Sequence, residues 1–214
     1  MPVGGDGDPP PEDQWTREAL RLHDRYLNEV VLAFDLCPWA DKVLREGAFR
    51  RRVISAPAPA PEAALAFIDT LAAETPPVDI GFLIFPRFEI TAPAFDAFVE
   101  KIRRADRARR DVSQQALFLM AAFHPEGQGD ASAPHRLIPL LRRSPDPTVQ
   151  LVRAERLDQV RGGSDAISDE VAQQNHSTVA RRGLEGMETI LADLRQDRDR
   201  SYRPLVAPQS LAPA

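Results

Sequence analysis

The chain has 214 residues, 43% hydrophobic and 28% charged, with a formal net charge of −5, the balance of a water-soluble globular domain. The acidic pI of about 5.4 argues against a nucleic-acid partner, and no apolar run approaches the ~20 residues that span a bilayer. Cys37 is the single cysteine, so no intrachain disulfide can form; with no basic-then-apolar leader at the N-terminus, a reducing cytoplasm is the expected compartment.

Residues 1–12 are Pro, Gly and acidic residues with little to bury and read as a disordered tail, as do residues 200–214; residues 13–199 form one domain. The first helix is predicted over Glu12–Asp35, with Leu22, Tyr26, Val30 and Phe34 recurring every four residues and Leu27 and Val31 widening the stripe. His23 lies off that stripe and is expected in solvent. Proline is favoured at the first helical position, so Pro38 opens a second helix that ends at Glu46 before Gly47, leaving a bend at Cys37. A strand over Arg51–Ser55 and an Ala-Pro connector (Ala56–Pro61) lead to a helix over Pro61–Glu74 with Leu65, Ile68 and Leu71 inward.

Val78–Phe85 reads as a strand, and Pro93–Arg109 as a helix buried through Phe95, Phe98, Ile102 and Ala105, with Arg103, Arg104 and Arg107 on its wet face. Gln115–Phe123 is apolar on both alternations, which predicts an interior strand covered on both faces. The segment that follows, to Arg153, carries Pro125, Pro134, Pro139, Pro145 and Pro147 and reads as a stiff cationic loop, closing in a strand at Thr148–Val152. Helices over Ser164–Arg182 and through Leu184, Met187, Leu191 and Leu194 complete the chain. Strands spaced by helices predict an α/β fold (α+β as the alternative): a small mixed, partly parallel sheet of about four strands flanked by helices.

Site chemistry concentrates around two places. At the bend, Cys37 sits where a helix N-terminus favours a thiolate, a nucleophile or redox group, against the alternative of a small buried side chain; Trp39 beside it is a substrate-contact candidate. At the exit of the apolar strand, His124 is placed for acid-base work with Glu126 to orient it, against the alternative of a turn histidine bonded to backbone. Six arginines against three acidic residues lie between Arg136 and Arg161. Arg136, Arg142 and Arg143, with Ser144, form an anion clamp in this reading, against plain pairing with Asp146, Glu155 or Asp158. His124, Glu126 and His135 have the donor types of a zinc or iron site, but their spacing matches no metal motif. No cofactor motif occurs, so the cofactor is left unassigned.

L-C-P-W-A (Leu36–Ala40), F-H-P-E (Phe123–Glu126) and R-R-S-P-D-P-T (Arg142–Thr148) occur in that order. This combination resembles a bacterial family described only as domain of unknown function 1415, over roughly Trp15–Leu194. The resemblance implies that the three motifs work together and transfers no catalytic residue. The expected function is a small cytoplasmic enzyme acting on an anionic small molecule, a carboxylate or phosphate. A non-catalytic ligand-binding or regulatory module is the alternative, and a metal protein the third reading. No membrane partner is expected, and the oligomeric state is open.

Overall fold

The computed structural model describes residues 11–37, 40–110, 116–155 and 166–206, with the backbone alone for 11–13 and 166–170. The remainder of both predicted tails, Pro38, Trp39 and the start of the predicted strand at Gln115 lie outside the described residues.

Helix α1 (Pro11–Tyr26) runs directly into a π-helical stretch, Leu27–Leu32. There the Ala33 N–H reaches back five residues to the Asn28 carbonyl at 3.2 Å, which widens the helix locally. After the bend come α2 (Ala40–Glu46), β1 (Phe49–Val53), α3 (Pro61–Ala73), β2 (Ile80–Ile84) and α4 (Ala92–Ala108). Next are β3 (Phe118–Phe123), α5 (Pro134–Leu141), β4 (Thr148–Arg153), α6 (Ala166–Arg182) and α7 (Leu184–Val206). Gly47, at φ +64°, ends α2 in the left-handed conformation that glycine adopts without strain.

The four strands lie in the order β1-β2-β4-β3. β1 and β2 are parallel, joined by the α3 crossover, whereas β4 inserts between β2 and β3 antiparallel to both. The sheet is therefore mixed and flanked by helices, as expected. β3 is an edge strand, and Leu119 is 40% exposed, which corrects the expectation of an interior strand covered on both faces; β2 and β4 are the interior strands.

One face of the sheet packs Leu83, Val149 and Leu151 against α3 and α4 through Phe67, Ile68, Leu71, Phe95 and Ile102. The other packs Ile80, Phe82 and Ile84 against α1, the π-helical stretch, α2 and α5 to α7. Helix α7 continues to Val206, past the boundary expected at residue 199, because Tyr202 stacks on Trp15 at 4.6 Å and is buried. Asp197 on α7 accepts from Arg21 and Arg25 on α1 at 2.8 and 2.6 Å, tying the first and last helices together.

The predicted stiff loop contains helix α5. Pro134 sits in its first turn, where a missing N–H costs nothing, and Pro139 lies inside it. The loop before α5 lies flat on it. A Cβ on Gly127 would meet the Pro139 carbonyl oxygen at 2.4 Å, so only glycine permits that approach. Among the described residues no helix is long and apolar enough to cross a membrane.

Candidate functional site

Strand register determines which side chains share the sheet face beneath α1, α2, α5 and α6. Cross-strand partners point the same way, so that face carries three rows. They are Phe49, Ile80, Val152 and Leu119; Arg51, Phe82, Gln150 and Ala121; and Val53, Ile84, Thr148 and Phe123. The helices do not fill the space above these rows. A cavity of about 610 Å³ remains, with Phe82, Gln150 and Ala121 on its floor, within the ~300–1,000 Å³ of small-molecule pockets. The π-helical stretch contributes Leu27 and Val31 to its wall, the bend contributes Leu36 and Cys37, and α6 contributes Val171 and Asn175.

The three sequence motifs meet here. L-C-P-W-A supplies Leu36, Cys37 and Ala40; F-H-P-E supplies Phe123; R-R-S-P-D-P-T supplies Arg142, Ser144 and Thr148. Each contributes differently from the sequence-based expectation.

Arg142 follows α5 and extends into the cavity, its guanidinium over the Phe123 ring at 5.6 Å. Among the described residues it has neither a carboxylate nor a hydrogen-bond partner. Protein surrounds the side chain while the cavity keeps it open to solvent. Desolvation lowers its pKa, and the phenol of Tyr26 and the carboxylate of Asp96 only partly oppose this. A cation held over an aromatic ring at the end of a largely apolar cavity has the chemistry to receive an anion. Tyr26 positions it: its hydroxyl donates to the Leu141 carbonyl at 2.6 Å, immediately before Arg142, and burial holds the phenol protonated.

His23, expected in solvent, is 3% exposed and lies on the cavity wall. Its ring meets Phe82 edge-on at 4.7 Å, and Nδ1 has no hydrogen-bond partner among the described residues. Burial, with a smaller contribution from Arg51, pushes its pKa down to about 3, so the imidazole is neutral near pH 7. Gln150 is the other polar group the sequence reading passed over. Its signal was present: it is a long polar side chain in the middle of the largely apolar run T-V-Q-L-V, on the same face as Thr148.

Cys37 lines the cavity half-buried. The described part of α2 begins at Ala40, whose N–H donates to the Cys37 carbonyl at 3.0 Å, and the two residues between them, on which the N-cap expectation turns, lie outside the described residues. Trp39 lies outside the described residues. Ser144 is buried with its hydroxyl donating to the Asp146 carbonyl, as does Thr148 at 2.9 Å. The Asp146 carboxylate accepts from Arg198 at 2.8 Å and Tyr202 at 2.7 Å, fastening this motif to α7.

The remaining predicted site residues sit elsewhere. His124 turns away from the cavity: Nε2 meets the Ile90 carbonyl at 2.9 Å, and Nδ1 accepts the Glu126 N–H at 3.1 Å. Both ring nitrogens are engaged by backbone, and burial lowers the pKa, so in this geometry His124 pins a turn. The Glu126 carboxylate is 3.5 Å from Arg195. Arg136 pairs with Asp130 at 2.6 Å on the surface, and Arg143 donates to the Gly127 carbonyl at 2.8 Å. The four-residue clamp thus reduces to Arg142, because its neighbours are held by local partners. His135 is exposed at the start of α5, and no group of three or more His, Cys, Asp or Glu side chains placed to hold a metal occurs among the described residues. The surface depression along α1 is lined by Arg21, Arg25 and Glu29, which are already ion-paired.

No curated protein and no solved structure matches the chain. The match to the DUF1415 family, described as a protein of unknown function, covers residues 18–189, which contain all three motifs and every described wall of the cavity; the chain belongs to that family.

Proposed function

We propose that the protein binds a small amphipathic anion, a carboxylate or phosphate with an apolar body, in this cavity, and that the ligand is a metabolite of the bacterial cytoplasm. The observation that carries the reading is Arg142, a guanidinium with no ion-pair or hydrogen-bond partner among the described residues at one end of a largely apolar chamber. An arriving anion would form charge-assisted hydrogen bonds with this guanidinium in place of solvent, while its body covers the sheet rows. The acidic net charge of −5 favours a small ligand over a nucleic acid.

Calorimetric titration with decanoate, decyl phosphate and decanol tests this and separates the two anion types. Either acid should bind more tightly than the alcohol. Arg142→Gln should weaken the acid by roughly ten- to a hundredfold, the size of a hydrogen bond to a charged group, and leave the alcohol unchanged. Equal affinity for acid and alcohol in the native protein would refute the proposal. A catalytic reading retains one favourable observation, that Cys37 lines the same cavity as Arg142. In that version the thiol, rather than His124, is the reacting group.

A further inference from the structure

Gln150 occupies the middle of the cavity floor. Its cross-strand neighbours are Phe82 and Ala121, and along its own strand Thr148 and Val152 share its face. Its amide offers two donor hydrogens and an acceptor oxygen, and among the described residues none has a hydrogen-bond partner. The other polar groups on this face are already engaged: Thr148 donates to the Asp146 carbonyl, and Arg51 pairs with Asp24. Ala121 leaves room on one side of the amide. On the other, His23 stands edge-on over Phe82 with Nδ1 likewise lacking a partner among the described residues. Gln150 is half-buried with its amide on the cavity lining, so a ligand there would take the place of solvent on it. Two uncharged polar groups with no protein partner among the described residues, flanking one ring and lining one cavity, are suited to recognise a polar group of a ligand.

Building on the reading of Arg142 as the anion receptor, we infer that the ligand carries a second, uncharged polar group, a hydroxyl or carbonyl in mid-body, which Gln150 binds with His23 beside it. The separation follows from the register. Arg142 lies over Phe123, whose cross-strand partner is Thr148, and Gln150 is two residues further along that strand. Diagonal neighbours of this kind are about 7–8 Å apart, so Gln150 lies on the order of 7 Å from the ring that Arg142 covers, and the second group is separated from the anion by several bonds of the ligand body. Beyond it the row of Ile80, Val152 and Leu119 accepts an apolar remainder. The ligand class is a hydroxy or oxo acid with the oxygen in mid-chain rather than next to the carboxylate.

The test is titration of the full chain with decanoate and with hydroxydecanoates substituted at successive positions. Native protein should prefer a hydroxyl at the middle positions over plain decanoate by roughly fivefold, the size of one net hydrogen bond. Gln150→Met, close in length and without hydrogen-bonding groups, should abolish the preference while decanoate binds at least as tightly; Gln150→Leu is the second variant should the first fold poorly. Arg142→Gln should weaken both acids in proportion and keep their ratio. The absence of a mid-chain preference in native protein, or its survival in Gln150→Met, overturns the inference. Unchanged affinity of both acids in Arg142→Gln instead overturns the anion reading on which it rests.

Discussion

Asp146→Asn places a neutral amide in a buried ionic contact that joins the R-R-S-P-D-P-T motif to α7. The native carboxylate is buried, accepts from Arg198 at 2.8 Å and from Tyr202 at 2.7 Å, and belongs to the turn whose carbonyl receives the Ser144 and Thr148 hydroxyls. The substitution keeps shape but leaves the half-buried Arg198 with the exposed Asp199 carboxylate at 3.5 Å and the Pro86 carbonyl at 3.3 Å, and no buried counter-charge among the described residues. Removing one partner of a buried ion pair costs about 3–5 kcal/mol. For a chain of this size each kcal/mol lowers Tm by roughly 2–4 °C, so the expected fall is on the order of 10 °C. Tyr202→Phe loses one hydrogen bond to a charged group and should cost about 1.5–3 kcal/mol. The Asp146→Leu, Arg198→Met double variant, which leaves neither charge behind, should recover much of the loss. Urea unfolding followed by circular dichroism measures all three. An Asp146→Asn variant within about 0.5 kcal/mol of native protein, the range of ordinary surface changes, would show that this contact does not fasten the motif to α7.

Two further outcomes follow from the cavity. Burial pushes the pKa of His23 down to about 3, against 6.5 for an imidazole in water. The unfolded chain therefore binds more protons between those values, and stability should rise with pH across that window by at most about 1.4 kcal/mol per pH unit. His23→Phe should flatten that slope in denaturant titrations from pH 4 to 7; an unchanged slope would place the pH dependence elsewhere. Cys37 should be alkylated by iodoacetamide in native protein, and saturating decanoate should slow the reaction several-fold, read by intact mass; a rate indifferent to decanoate would separate the thiol from the ligand space.

Much of the layout was legible in the sequence because local chemistry and tertiary packing agree there. Proline at position 61 opens α3, Gly47 closes α2, and the Phe95, Phe98 and Ile102 spacing matches the buried side of α4. The failures have particular causes. β3 is apolar on both alternations because one of its faces floors the cavity, so composition imitated an interior strand. α5 was hidden by Pro139, which normally breaks a helix but here lies two residues from its end. His23 fell outside the helical stripe because α1 is buried on two sides. Trp15 and Leu22 meet Tyr202 of α7, while His23 and Tyr26 face the sheet and cavity. One arginine of the expected clamp faces the chamber, and a linear reading could not rank it above its neighbours, whose partners come from Gly127 and Asp130.

The widened turn at Leu27–Leu32 sets the phase between α1 and the turn and bend that follow it. Ahead of it stand His23 and Tyr26; after it come Phe34, Leu36 and Cys37. Each residue of an α-helix advances the azimuth by about 100°. Deleting a single residue inside the turn would restore an ordinary ladder and rotate the following segment against α1 by roughly that angle. Since α1 is clamped to α7 through Arg21 and Arg25, the part that swings would be the bend. The thiol and the imidazole would then no longer face the same space, which makes the length of this segment, rather than the identity of its side chains, the quantity the chamber depends on.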